Sequence, residues 1–502
     1  MQSFYKKILL SSTVLLICFG QLIFAQESYL CISSQPDSIR INLEKHVQYL
    51  SSHRLLGRSS LTGHDIKASV YIDSIFQHFD LNPFKAIPER SFYQPFSILS
   101  TVPQKRTMNF MGSTYEYGTD FICLGSDPES SKKYEIVFGG YGELDEIENL
   151  DLNGKALLVF ANNLRIAGMR INEDARDKGC SLLIITNPNS PKQFESISQH
   201  LQEQHNSRRF SIIQSKPSSP SRFFSKLSNS IPQVLISDKL AARMLGENPT
   251  KLAKNLEVGK SLKVIPSELK VCFNLPYSVD TIFTRNVISY IPSSIGSQES
   301  VLVSAHFDHL VPDGQFWFPG ADDNASGISI IIEIARMLAN DMKNGYLPRR
   351  NIVFAAFTAE EIGLFGSEFY SLNPLFSIDS TAAVFNFDMV GRMGKQLKHG
   401  NNLFVSGKNR LEDFERIIKE FNRDSTLIVD TKDLEKITLF ALSDHYHFME
   451  KGIPSFLLST GLHDDYHKPT DTAEKLSYDK MVKIVQLAYD AIKHFADVVD
   501  PW

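Results

Sequence analysis

The sequence predicts an α/β protein: a central, mostly buried mixed sheet flanked by helices, interrupted by a smaller β-rich α+β domain. Three observations predict it. From Arg285 onward, apolar β-branched runs alternate with segments of helical spacing, the pattern of strands and helices layered around one sheet. Between Gly112 and Val279 the texture changes to short strand-like runs separated by turns. Ahead of both, 41–50 and 66–79 carry apolar residues at helical spacing. The division that follows is an N-terminal part of the main domain at 26–111, an inserted domain at 112–279 and the rest of the main domain at 280–502.

The first 25 residues read as a cleavable export signal, with Lys6 and Lys7 ahead of an apolar stretch and the small Ala25 at its end. A periplasmic or secreted protein with no stable membrane insertion after signal removal is expected; an uncleaved anchor is the alternative. The bulky Ile17 before Cys18 argues against lipidation. In the two helical segments, Leu43, Val47 and Leu50, then Val70, Ile72, Ile75, Phe76 and Phe79, supply the buried faces. Between them Leu56-Gly57-Arg58-Ser59 and Thr62-Gly63 form a turn-rich connection in which no chemistry is visible. In the insert, 134–138, 156–160, 181–186 and 233–236 are predicted strands, and 166–178 a helix stopped by Gly179. The polar, Ser- and Gln-rich 199–230 is expected to be a long surface loop. In the main domain, strands are predicted at 286–290, 300–304, 351–357, 382–387, 402–406 and 455–459, and helices at 326–342, 411–421 and 478–498.

At 502 residues, 42% hydrophobic and 22% charged, the chain has material for two domains with ample cores. A net charge of -5 offers no basic field for nucleic acid. Of the five cysteines, Cys18 falls in the signal. Cys31, Cys123, Cys180 and Cys272 either form two disulfides in one of three pairings or are buried small hydrophobes.

The chemistry gathers in Ser304-Ala305-His306-Phe307-Asp308, Gly320-Ala321-Asp322-Asp323-Asn324-Ala325-Ser326-Gly327 and Thr358-Ala359-Glu360-Glu361. Each borders an apolar run, where an unpaired carboxylate is expensive to desolvate, and too few Lys or Arg lie beside them to neutralise the set. Asp388, in Asn386-Phe387-Asp388-Met389, and His467, in Asp465-Tyr466-His467-Lys468-Pro469, extend the pattern. Singly, each has a plainer explanation: a buried His–Asp pair, an Asp/Asn turn or cap, a helix start favoured by acids. Together they suit divalent metal, since carboxylate oxygen and imidazole nitrogen are zinc ligands.

Five groups suffice for two ions if Asp323 is shared: His306 and Asp388 complete one shell, Glu361 and His467 the other. Three carboxylates against two divalent cations leave one positive charge, which a bridging hydroxide cancels, and that hydroxide would be the nucleophile. Glu360 is then free to serve as general base. Asp308 is placed to orient the His306 imidazole, and Tyr466 to donate a hydrogen bond to an oxyanion. Asp444 and His445 are expected to be structural, His463 and Asp464 to be solvated loop groups. Phe316, Trp317 and Phe318 either line a pocket or anchor a loop.

In their order, His-x-Asp, Gly-Ala-Asp-Asp-Asn-Ala-Ser-Gly, Ala-Glu-Glu-x-Gly-Leu-x-Gly-Ser, Asp-Met and Tyr-His, these motifs resemble the two-zinc exopeptidases that include bacterial aminopeptidases and glutamate carboxypeptidase. The resemblance covers 285–496 well and 43–84 less specifically, and 112–279 resembles the protease-associated domain many members carry. It implies a zinc-exopeptidase fold, two zinc ions, Asp323 rather than Asp322 as the bridge, Glu360 as base and the ligand set above. It further implies an aminopeptidase acting on peptides. A carboxypeptidase releasing C-terminal acidic residues and a non-catalytic, receptor-like homologue are the alternatives, and no residue pattern specifies an oligomeric state.

Overall fold

The computed structural model describes residues 34–84, 91–124, 126–164, 167–213, 231–259, 261, 263–394, 401–422, 426–431 and 443–499. The export signal, Cys18 and Cys31 lie outside them. The chain divides into two compact units, one of Met1–Ile98, Ser211–Ile213 and Thr281–Trp502, the other of Leu99–Phe210 and Gln214–Asp280. The second unit thus begins upstream of the composition change at Gly112.

The larger unit is built on a 10-stranded sheet. Its strands are β1 (Asn82–Pro83), β2 (Tyr93–Pro103), β3 (Arg209–Ile212), β4 (Tyr277–Ile291), β5 (Ser300–His306), β6 (Asn351–Phe357), β7 (Thr381–Phe387), β8 (Asn402–Lys408), β9 (Ile428–Asp430) and β10 (Ser455–Ser459). The order across the sheet is β9-β8-β10-β7-β5-β6-β4-β2-β3, with β1 against β4. Pairing is parallel from β10 through β7 and β5 to β6, and antiparallel between β4 and β6 and between β8 and β10. The sheet is therefore mixed, with a parallel centre. Every residue of β5 and β6 is buried, because helices cover both faces of parallel strands and leave no polar side to alternate with.

The helix Gly327–Lys343 buries every residue from Gly327 to Ala339, five isoleucines among them. A helix apolar over most of its circumference must be enclosed, and this one packs against the helices Pro36–Leu50 and Tyr478–Asp497 and the sheet. Each enclosed isoleucine contributes about 1.5–3 kcal/mol. The helix Pro36–Leu50 turns Ile39, Leu43, Val47 and Leu50 inward. Its His46 is also enclosed, with Nδ1 2.7 Å from Tyr71 Oη and Nε2 4.0 Å from Glu333 Oε1. Glu333 is held in turn by Arg336 at 2.9 and 3.1 Å.

The smaller unit has an 8-stranded sheet. At its centre Ala156–Phe160 and Leu182–Thr186 are parallel and buried throughout. Side chains alternate between faces: Ala156, Leu158 and Phe160 enter one core, Leu157 and Val159 the other. The expected surface loop at 199–230 is corrected in its first part. Pro191–Asn206 is a helix and Arg209–Ile212 a strand. The helix has Pro at its first turn and buries Phe194 and Ile197, a short apolar stripe that the polar composition masks; 214–230 lies outside the described residues. Cys123, Cys180 and Cys272 are free, so two disulfides among four cysteines do not form; Cys123 and Cys180 are buried as small hydrophobes.

Candidate metal centre

Three adjacent parallel strands end at the same margin of the sheet. β5 and β6 are in register with His306 opposite Phe357, and β5 and β7 with Ser304 opposite Asn386. The residues just beyond these C-terminal ends, Asp308 and His309, Glu360 and Glu361, and Asp388, therefore meet. Open parallel sheets gather ligands at this edge. Asp323 comes from the irregular turn Ala321–Ser326 before the long helix, and His467 and Tyr466 from the loop after β10.

The donors fall into two sets that share Asp323. His306 Nε2 lies 3.5 Å from Asp323 Oδ1 and 3.3 Å from Asp388 Oδ1. His467 Nε2 lies 3.2 Å from both Asp323 Oδ2 and Glu361 Oε2. Zinc–ligand bonds of 2.0–2.1 Å at tetrahedral angles separate neighbouring donors by about 3.3 Å, so these spacings fit two ions held by the five groups. His309 reaches the second set too, with Nδ1 2.6 Å from Glu361 Oε1 and 3.7 Å from Asp323 Oδ2, and His309, Asp323 and Glu361 could themselves hold an ion. At 2.6 Å, however, His309 and Glu361 are at hydrogen-bond distance, closer than two ligands on one zinc. The spacing makes His309 the group that orients Glu361. Glu360 stands apart from both sets, Oε2 3.9 Å from His306 Nε2.

The proposed ligands are braced by their neighbours. Asp388 Oδ2 accepts from Ser443 Oγ at 2.7 Å; Ser443 accepts from Asn386 Nδ2 at 2.9 Å, and Asn386 Oδ1 from Ser304 Oγ at 2.8 Å. Asp471 Oδ2 accepts the N–H groups of Asp322 and Asp323 at 3.0 and 3.2 Å. Asp322 itself is committed elsewhere, with Oδ1 on the Gly391 N–H at 2.6 Å and Oδ2 3.2 Å from His463 Nε2. This corrects the expectation of a solvated His463, which is buried. Asp308 acts by another route than expected. Its backbone carbonyl lies 3.2 Å from His306 Nδ1 while its carboxylate is 3.8 Å away and accepts the Glu360 N–H at 3.1 Å. Tyr466 stacks on His467 with ring centroids 3.8 Å apart. Trp317 meets His53 edge-on at 5.4 Å while Phe316 is exposed.

The electrostatics are those of acids crowded without enough cations. Burial and then Glu361 raise the Asp323 pKa. Burial raises that of Glu360 well above the carboxylate range, with His306 opposing and Glu361 and Asp388 adding to it. For Glu361 burial is outweighed by His309 and His467, which hold its pKa down. Burial disfavours the charged form of His467, yet Asp323 and Glu361 bring its pKa up to about 10. Burial, then Asp323 and Glu361, keep the Tyr466 phenol protonated. Asp444 is pushed up to about 7 by burial and His445 down to about 4. Protons on buried imidazoles do here what divalent ions do better, and the His467 Nε2, buried without a hydrogen-bond partner between two carboxylates, is a donor aimed at a cation. The residues fit metal.

His306, Asp323, Glu361, Asp388 and His467 thus converge beside Glu360 and Tyr466, and all of these but His467 line a cavity of about 60 Å³, room for a few waters. Sequence reasoning missed His309, Asp471 and Arg58. His309 follows Asp308 directly, but period-two alternation assigns it to the opposite face, and that rule lapses once β5 ends at His306. Neither Asp471 nor Arg58 sits in a pattern that marks it.

Residues 286–492 match the description "Peptidase family M28". Aminopeptidase YwaD of Bacillus subtilis (strain 168) is 31% identical over 214 residues, 40% of this chain and 43% of that protein. A probable leucine aminopeptidase of Trichophyton verrucosum (strain HKI 0517) is 28% identical over 210 residues, 40% of this chain and 55% of that protein. The chain spans about half the length of the relatives it matches. Among solved structures, an aminopeptidase from Aneurinibacillus sp. strain AM-1 is similar over 91% of this chain and 94% of its own, at 22% identity and a TM-score of 0.46. The stretch from Asn286 to Ile492, which carries all five proposed ligands together with Glu360 and Tyr466, is thus the part of the chain that matches peptidase family M28.

Proposed function

We propose that the chain is an exported, zinc-dependent aminopeptidase that removes N-terminal residues from peptides, with two divalent ions held by His306, Asp323, Glu361, Asp388 and His467. The observation that carries this reading is that five donors fall into two sets sharing Asp323 while Glu360, adjacent to a ligand, is left out of both. When bound, the ions supply an activated water and polarise the scissile carbonyl. Glu360, left out of both donor sets, takes the proton from the attacking water and returns it to the departing amine. Tyr466, kept protonated, donates to the oxygen on which charge develops. Asp308 fixes the Glu360 backbone, and His309 fixes Glu361.

The cavity is lined by Met389, Leu457 and Leu462, with Ser443 and Ser459, beside the acids. Among the described residues that line it none is Lys or Arg, which favours an aminopeptidase over a carboxypeptidase that must neutralise a C-terminal carboxylate. The names of the relatives point the same way. Among the described residues no helix is long and apolar enough to cross a membrane; export rests on the first 25 residues of the sequence. The test is metal analysis of the purified protein beside a panel of aminoacyl chromogenic amides, N-blocked peptides and peptides ending in Glu. Turnover of blocked peptides, or release of C-terminal Glu alone, would overturn the direction of cleavage.

A further inference from the structure

Arg58 comes from the turn in which the sequence showed no chemistry, and it is the bulkiest fully enclosed side chain among the described residues. Its guanidinium makes five hydrogen bonds, all to main-chain carbonyls: Nε to Phe307 at 2.7 Å, Nη1 to Leu50 at 2.8 Å and Pro319 at 2.6 Å, and Nη2 to Gly320 at 3.0 Å and Asp323 at 3.4 Å. Two of these carbonyls flank or belong to proposed ligands, since Phe307 follows His306 and Asp323 is the shared carboxylate. The turn itself is pressed into the same loops. A side chain on Gly57, at φ +79°, would meet Leu310 O at 2.4 Å and Phe318 O at 3.2 Å.

A buried cation needs counter-charge, and none of Arg58's five partners carries any. The contrast is Arg350, also enclosed and also bonded to main-chain carbonyls, at Phe495, Val498 and Val499, but with Glu299 2.7 Å from its Nε. For Arg58, burial pushes the pKa down to about 10, and Asp323, Asp308, Asp471 and Glu361 draw it back up. Its counter-charges are the carboxylates of the site.

We propose that Arg58 is a permanent internal cation of the metal centre, held by the His306 and Asp323 loops, that offsets the crowded carboxylates before metal arrives. This rests on reading the five donors as a metal site. Two divalent ions neutralise the same carboxylates, so the Arg58 charge is needed most when they are absent. Removing it destabilises the metal-free protein more than the loaded one.

The experiment compares apparent Tm with EDTA and with saturating zinc chloride for the full chain, R58Q, R58K and R350Q. Expected is a zinc-induced rise in R58Q that exceeds the wild-type rise by about 3 °C or more, with R58K matching wild type because it keeps the charge. R350Q should lose Tm equally in both conditions, as an architectural arginine would. A rise in R58Q equal to or below that of wild type overturns the proposal while leaving the metal site intact. If R58Q is insoluble with and without zinc, R58K decides, and a rise different from wild type rejects the charge role. A wild type whose Tm zinc does not move rejects the metal site itself, and the role of Arg58 with it.

Discussion

His309 Nδ1 stands 2.6 Å from Glu361 Oε1, while the other oxygen of the same carboxylate lies 3.2 Å from His467 Nε2. One oxygen is tied down by a hydrogen bond so that the other presents to a cation. Partners of this kind typically tune metal affinity 10–100-fold. His309→Ala is therefore expected to weaken one of two zinc sites by about that factor and spare the other. Competition with a chromophoric chelator resolves the two affinities; equal loss at both sites, or none, would show that His309 does not act through Glu361.

Glu360 and Glu361 are neighbours in sequence with separate duties. Glu360→Gln keeps size and polarity but cannot take a proton, so zinc content should remain at two ions per chain while kcat falls by about 10²–10⁴. Glu361→Gln should instead lose metal along with activity. A Glu360→Gln enzyme that turns over normally would remove the assigned base.

How much of this was legible in the sequence follows from the range of the interactions involved. The strands at 351–357 and 455–459 and the site residues at their ends were readable because burial on both faces leaves an unbroken apolar run, and a charge at its end has no other business there. His309 was hidden by a local rule applied three residues past the strand that justifies it. Arg58 was unreadable for another reason: its partners lie 8 to 265 residues away and are backbone carbonyls, which have no sequence signature. The helix Pro191–Asn206 was lost because a polar composition was taken for a loop, when two buried side chains, Phe194 and Ile197, are enough to seat it.

Ser443 links Asp388 to a chain of side chains reaching Ser304 across the sheet. Ser443→Ala leaves the Asn386 amide and an Asp388 oxygen each short of one partner inside the protein. Destabilisation of about 1–3 kcal/mol is expected, together with weaker zinc binding at the site that Asp388 shares with His306. Denaturant unfolding with and without zinc measures both; wild-type stability in the variant would mean that the chain of hydroxyl and amide groups has no mechanical role.

Burial holds His46 neutral, with a pKa lowered to about 3, and Arg336 and Lys45 add to the effect. In the unfolded chain its pKa is about 6.5. Between these values the unfolded state binds the extra proton, so the stability contributed by neutral His46 is fully present above about pH 6.5 and is lost as pH falls toward 3, at up to about 1.4 kcal/mol per pH unit. His46→Gln keeps an acceptor for the Tyr71 hydroxyl, 2.7 Å from the native Nδ1, but has nothing to titrate. Its stability should therefore fall less steeply than wild type between pH 6.5 and 4.5, by up to about one proton's worth of slope. Two other histidines, the buried His445 and the half-buried His447, with pKa values lowered to about 4, contribute slopes of the same sign to both proteins and cancel in the comparison. Denaturation midpoints measured in EDTA across this range give the difference directly; parallel wild-type and variant curves would mean that His46 takes up its proton in the folded protein as readily as in the unfolded one.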